Sequence, residues 1–141
     1  MKKIQFNWKN KKVLITGVHG FIGSNLCKLL IKKGAVVYGM HRNNNNNSLL
    51  KFEKIDNFNS ISYNSFDLEK ISELIIDKEI EFCFHLAANV EVKKSEIIPF
   101  QTFYNNIFLT LMLLEAFRIS KTLKSFIFTS TDKVYGNIEK S

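Results

Sequence analysis

Proline is nearly absent: Pro99 is the only one in 141 residues. There are six glycines and no stretch rich in either residue, so nothing marks a linker between domains. Cysteine is scarce too. Cys27 and Cys83 lie in apolar runs, too few for a disulfide framework and without metal-ligand spacing. Both read as buried packing residues, and no metal is expected. No run reaches the ~18 consecutive apolar residues of a membrane span, so no membrane association is expected. The start, Met1 to Lys9, has no apolar core and no small-residue cleavage site, which argues against a signal peptide and for a cytoplasmic protein. A continuous basic stripe is also missing. The net charge is +7, but the lysines fall in scattered pairs (Lys2-Lys3, Lys11-Lys12, Lys32-Lys33, Lys93-Lys94) that are not interleaved with aromatics. That pattern gives a solvated surface with general anion attraction, and no nucleic-acid partner is expected.

What is present is an alternation of strand and helix signals. Hydrophobic residues make up 45% of the chain, enough for one domain with a real core over residues 1–141. Lys12 to Thr16 is an apolar run ending at glycine, as a buried parallel strand does. Phe21 to Lys33 has helical spacing, with Phe21, Ile22, Leu26, Leu29 and Leu30 expected on one face and Gly34 at the C-cap. Ala35 to Met40 reads as a second strand and Ser60 to Phe66 as a third. Leu68 to Lys78 reads as a helix with Asp67 at its N-cap. Glu81 to Leu86 reads as a fourth strand. Pro99 opens a long helix over about Phe100 to Ser120, and Ser125 to Ser130 is a fifth strand. The stretch from His41 through the Asn43–Asn47 run to Asn59 is expected to be irregular. This order predicts an α/β fold with a parallel sheet covered by helices on both faces.

The first strand-to-helix turn carries chemistry. Gly17, Gly20 and Gly23 have the spacing G-x-x-G-x-x-G. The first glycine makes the turn, the second lets backbone N–H groups approach a pyrophosphate, and the third lets the helix pack close to the sheet. The helix N-terminus, at Phe21 and Ile22, then faces the phosphate with unpaired N–H groups and partial positive charge.

Thr16 to Gly23 resembles the glycine motif of the extended short-chain dehydrogenase/reductases, a superfamily acting mainly on sugar nucleotides. Phe66-Asp67-Leu68 resembles its acidic contact to adenine. His85-Leu86-Ala87-Ala88 resembles the segment under its cofactor. Thr102 to Asn106, through Leu113 to Ala116, resembles its helix before the fifth strand, although Leu109 stands where that family usually has glycine. Ser130 to Gly136 resembles its active-site strand end. The resemblance implies a Rossmann-type doubly wound sheet of about five strands, order 3-2-1-4-5, in three α/β/α layers. It implies NAD(P) held by Gly17, Gly20, Phe21, Ile22, Gly23, Arg42, Asp67, Leu68, Leu86, Ala87, Ala88 and Asn106. It also implies a nucleotide-sugar substrate and a homodimeric full-length form.

The end of the second strand bears on the choice of cofactor. An acid there would bind the ribose 2′-hydroxyl. His41 and Arg42 occupy the position, and Arg42 can pair with a 2′-phosphate, which favours NADP over NAD. Arg42 as a plain solvated loop residue is the alternative. By resemblance, Thr131 binds the sugar 4-hydroxyl, and Asp132 with Lys133 resembles the acid and base pair of sugar-nucleotide 4,6-dehydratases. Those enzymes oxidise C4, eliminate water across C5–C6 and return the hydride to C6, which needs a proton donor and an acceptor. A surface pair in a turn is the alternative for Asp132 and Lys133. His19 is expected to be an exposed loop side chain and His85 a packing residue.

The family's Tyr-x-x-x-Lys pair is missing. Tyr38, Tyr63, Tyr104 and Tyr135 are followed four residues on by Arg42, Asp67, Phe108 and Glu139. The chain therefore reads as an N-terminal fragment that binds cofactor but does not turn over alone, with its fifth strand left as an exposed edge and marginal stability. A 4,6-dehydratase is the leading expectation. A 4-epimerase or reductase, a non-catalytic dinucleotide-binding module, and a polyanion binder are the rivals.

Overall fold

A computed structural model describes residues 6–42, 48–63, 67–89 and 92–131. In chain order the elements are β1 (Lys12–Thr16), α1 (Phe21–Lys32), β2 (Val36–His41), α2 (Leu49–Phe52), β3 (Asn59–Ser62), α3 (Leu68–Asp77), β4 (Phe82–His85), α4 (Val92–Ile97), α5 (Pro99–Ser120) and β5 (Ser125–Phe128). The five strands form one sheet in the order β3-β2-β1-β4-β5, all parallel. This is the expected Rossmann-type topology, and β5 is an edge of the sheet among the described residues.

The strand period of two sorts the core into two layers. Val13 and Ile15 of β1 pack with Val37, Phe82, Cys27 and Leu30 on the α1 side. Leu14 points the other way, into Met40, Cys83, Ile71, Ile75, Leu113 and Phe117 on the α3 and α5 side. Both cysteines are thus buried packing residues, one in each layer. Burial pushes the Cys27 thiol up to about 12 and raises that of Cys83 further still.

Helix boundaries follow local chemistry. Gly34 takes φ +81°, and the Gly34 and Ala35 amides donate to the Ile31 and Leu30 carbonyls, closing α1 in a Schellman arrangement. Asp67 caps α3 by accepting from the Lys70 amide, and Pro99 sits in the first turn of α5. No helix of the described residues is long and apolar enough to cross a membrane.

Four expectations change. The apolar face of α1 is only partly as expected: Leu30 is buried and Leu26 packs against the core, but Phe21, Ile22 and Leu29 are exposed, and Gly23, Ser24 and Cys27 are buried instead. Close contact with the sheet selects the face with the small side chains. β3 covers Asn59–Ser62, with residues 64–66 outside the described residues. β5 ends at Phe128 rather than Ser130. The stretch after β2 is not wholly irregular, because α2 forms within it, capped by Ser48. The Asn43–Asn47 run itself lies outside the described residues. α4 was not anticipated.

Candidate functional site

Parallel strands bring their carboxyl ends to one rim, and there the phosphate turn is built. Gly17 takes φ +71°, a left-handed conformation open to glycine. A Cβ on it would meet Ala87 backbone atoms at 3.0 Å, so the backbone of Leu86 and Ala87 packs directly against the turn. A Cβ on Gly23 would lie 2.2 Å from the Gly17 carbonyl oxygen, so α1 approaches the turn more closely than any other residue permits. Gly20 is the exposed N-cap of α1 and offers no side-chain cap. The first bond closing the helix runs from Ser24 N–H to the Gly20 carbonyl, leaving the Phe21, Ile22 and Gly23 amides at the mouth. No acidic residue stands in that first turn. The mouth is therefore open to an anion and carries the positive end of the helix dipole. Gly17 and Gly23 leave no room for a side chain, and the residues present fit a pyrophosphate.

Beneath the turn lies a buried polar chain. His85 is 1% exposed, and its Nδ1 lies 2.6 Å from Thr16 Oγ1 and its Nε2 2.9 Å from Thr110 Oγ1. Thr110 donates its own hydroxyl proton to the Asn106 carbonyl at 2.8 Å, so it accepts from His85 Nε2–H. Nδ1 then accepts from Thr16, whose oxygen in turn accepts the Leu86 and Ala87 amides. A neutral imidazole satisfies every group, and burial lowers the His85 pKa to about 4. Asn106 continues the chain. Its side chain accepts from the Asn89 amide at 2.7 Å and donates to the Asn89 carbonyl at 3.2 Å. Asn106 thus clamps the loop after β4.

His19 is not the exposed loop residue expected. Its Nδ1 lies 3.0 Å from Ser48 Oγ, its ring packs on His41 with centroids 4.6 Å apart, and its Nε2 is buried without a hydrogen-bond partner. Desolvation first, then His41 and Lys51, lower its pKa. Between the turn and α2 opens a cleft of about 620 Å³, with His19, Gly20 and Phe21 on one wall and Leu49, Lys51 and Phe52 on the other. Sequence reading missed Ser48 and Lys51. The only available signal was a serine capping a two-leucine start, hidden behind the asparagine run.

The other predicted residues among those described are placed as follows. Arg42 is exposed after β2 and hydrogen-bonds the Tyr63 side chain. His41 Nε2 pairs with Ser60 Oγ at 2.9 Å. The Asp67 carboxylate is occupied by the Lys70 amide and ammonium, and Leu68 is exposed beside it. Thr131 lies exposed three residues past β5, on the same rim. Asp132 and Lys133 lie outside the described residues.

The family model for GDP-mannose 4,6 dehydratase matches residues 14–141. A trifunctional UDP-glucose 4,6-dehydratase/UDP-4-keto-6-deoxy-D-glucose 3,5-epimerase/UDP-4-keto-L-rhamnose-reductase of Arabidopsis thaliana is 31% identical over 94% of this chain, which spans 21% of that protein. A CDP-paratose 2-epimerase of Salmonella typhi is 33% identical over 92% of this chain, which spans 39% of it. Among solved structures, a UDP-glucose-4-epimerase from Stenotrophomonas maltophila with bound NAD and formylated UDP-arabinopyranose superposes with a TM-score of 0.79 at 27% identity, covering 93% of this chain and 40% of that one. The chain thus spans well under half the length of these relatives. The glycine turn, the strand order and the match over residues 14–141 together show that the chain belongs to the GDP-mannose 4,6-dehydratase family of sugar-nucleotide dehydratases and epimerases, in the extended short-chain dehydrogenase/reductase superfamily.

Proposed function

We propose that residues 1–141 are the NAD(P)-binding part of a cytoplasmic sugar-nucleotide 4,6-dehydratase. The observation that carries this reading is the contact between Gly23 and Gly17, which brings the amide end of α1, with no acidic residue in its first turn, up to the glycine turn. When bound, a nicotinamide dinucleotide supplies hydride exchange with the sugar. Gly17, Gly20 and Gly23, with the Phe21 and Ile22 amides, hold its pyrophosphate. Leu86, Ala87 and Ala88 lie beneath it, held by Thr16 and by Asn106 through Asn89. Asp67 and Leu68 border the adenine, and Arg42 takes a 2′-phosphate, favouring NADP. Thr131 binds the sugar 4-hydroxyl, Asp132 protonates the leaving 6-hydroxyl and Lys133 accepts the C5 proton.

None of the four tyrosines has a lysine four residues on, so the 141-residue chain binds dinucleotide without turning over sugar nucleotide. Calorimetric titration with NAD and NADP tests the first statement, and absence of binding to either refutes it. Steady turnover of a nucleotide sugar by the purified chain refutes the second.

A 4-epimerase is the second reading, favoured by the fold likeness to a solved UDP-glucose-4-epimerase. The product separates the two: a 4-keto-6-deoxy sugar nucleotide for the dehydratase, the 4-epimer for the other. The full-length protein is proposed to be a homodimer. The apolar outward residues Phe103, Ile107, Leu111 and Leu114 of α5 support a partner on that face.

A further inference from the structure

A parallel sheet gathers the amino ends of its strands, and the carboxyl ends of the helices that feed them, on one rim. Here that rim lies opposite the glycine turn. We propose that it is a lysine-rich docking surface for a membrane carrying anionic lipids, which leaves the ligand mouth facing solvent. This does not depend on the dinucleotide reading. The sequence predicts no membrane association because no run is long enough to span, but a contact at the membrane surface needs no span.

Charge is the first support. The lysine pairs are scattered along the chain, but the fold collects them. Lys32 and Lys33 end α1 before β2, Lys9 precedes β1, Lys78 caps α3 before β4, and Lys121 caps α5 before β5. All five are exposed, and none has a carboxylate partner among the described residues. Their connections touch in a row. The Asn10 amide donates to the Gly34 carbonyl, the Glu81 amide to the Lys12 carbonyl, and the Lys124 amide to the Glu81 carbonyl. Four neighbouring strands make that row roughly 15 Å long. The carboxylates of the rim are largely occupied: Glu79 pairs with Lys12, and Glu81 with Lys11 and Lys124. Asp77 offsets one lysine, Lys54 matches Asp56 at the β3 end, and the three helix ends offset about half a charge each. The remainder is positive.

Composition and shape select the occupant. The one arginine near this rim, Arg118, is held by Glu115 through two hydrogen bonds, so no guanidinium fork is left for a nucleic-acid phosphate or base edge. The connections that enter β2, β4 and β5 have only three or four residues, and nothing protrudes that could enter a groove. Protein interfaces are depleted in lysine. An anionic bilayer needs neither fork nor wedge, because each ammonium group gains simply by lying near a planar negative surface. Phe6 adds an aromatic ring at the same end. It is 49% exposed, and it packs on Trp8 and on Phe82, the first residue of β4, with centroids 4.8 Å and 5.5 Å away. An exposed ring beside lysines is the pairing that surface-bound proteins bring to the headgroup layer.

Co-sedimentation of the 141-residue chain with phosphatidylcholine vesicles, with and without phosphatidylserine, tests this at low and high salt. Binding is expected only with phosphatidylserine and is expected to fall as salt rises. Each lysine at such a surface contributes roughly fivefold, so Lys32→Gln combined with Lys33→Gln is expected to weaken binding at least about tenfold. Lys70→Gln combined with Lys93→Gln removes the same charge from the opposite rim, and a loss under about threefold is expected there. Phe6→Ser is expected to weaken binding severalfold. Absence of binding to phosphatidylserine vesicles overturns the surface. So does an equal loss in the two lysine pairs, which would make the attraction a property of net charge. Tighter binding to random-sequence DNA than to vesicles, lost in the Lys32–Lys33 variant, overturns the lipid assignment in favour of nucleic acid. The substituted side chains are all exposed, and melting curves confirm that the variants fold.

Discussion

Gly23 has no room for even a methyl group, since its Cβ would lie 2.2 Å from the Gly17 carbonyl oxygen. Gly23→Ala must lift α1 from the turn, at a cost of about 1–3 kcal/mol, and move the amides that meet the phosphate. Dinucleotide affinity is expected to fall at least about tenfold. Calorimetry checks this, and unchanged affinity removes the cradle as the binding element. His85 makes a different demand. Its folded pKa is about 4, below the ordinary value of 6.5. Above pH 6.5 it is neutral in both states and adds no pH dependence. Between pH 6.5 and 4 the unfolded chain takes up a proton that the fold refuses, so stability falls as pH drops, by about 3 kcal/mol in all. Below pH 4 the penalty is constant. Urea unfolding at pH 7 and pH 4.5 is expected to show a smaller difference for His85→Gln than for wild type. Equal differences would sink the assignment. Sequence reading identified the glycines because a backbone constraint leaves a mark in the sequence. It misjudged His19, whose environment comes from Ser48 and His41, residues brought to it by folding.

At the scale of elements, the long regular pieces were readable and the short ones were not. α5 announces itself through Pro99 and 22 residues without a breaker. α2 has only four residues and one cap, and it is held by Leu50 in the core and by the Lys28–Glu53 pair rather than by its own propensity. The buried face of α1 was misread because apolar side chains were followed where close approach chose Gly23, Ser24 and Cys27. α3 and α5 depend on each other. Leu113 is fully buried among Ile71, Ile75, Leu14 and Met40. Leu113→Ala is expected to cost about 2–5 kcal/mol, measured by urea denaturation. A loss under about 1 kcal/mol would mean that this layer is not the core.

At the scale of the whole molecule, two surfaces among the described residues are apolar beyond what water favours. One is the outward side of α5, where Phe103 is 65% exposed and Leu111 55%. The other is β5, an edge of the sheet among the described residues, where Phe128 is 53% exposed. A helix apolar on all sides is normally covered on all sides. The chain is expected to self-associate with rising concentration in sedimentation velocity, and Leu111→Glu to weaken that association. Concentration-independent sedimentation would refute it. The alternation of strands and helices and the parallel sheet covered on both faces were legible from period and punctuation, whereas the strand order came with the family resemblance. The Asp132 and Lys133 assignments still rest on resemblance, since chemistry there depends on groups that no periodicity encodes.

The polar chain from Thr16 through His85 and Thr110 to Asn106 and Asn89 joins three elements that touch different parts of the ligand site. Its consequence is thermodynamic linkage. A ligand that holds the glycine turn also raises the free energy of opening the middle of α5, although it never reaches that helix. Amide hydrogen exchange near Thr110 is therefore expected to slow when dinucleotide is added to the wild-type chain, and to slow far less in Thr110→Val. Equal slowing in both would show that the turn and the helix open independently.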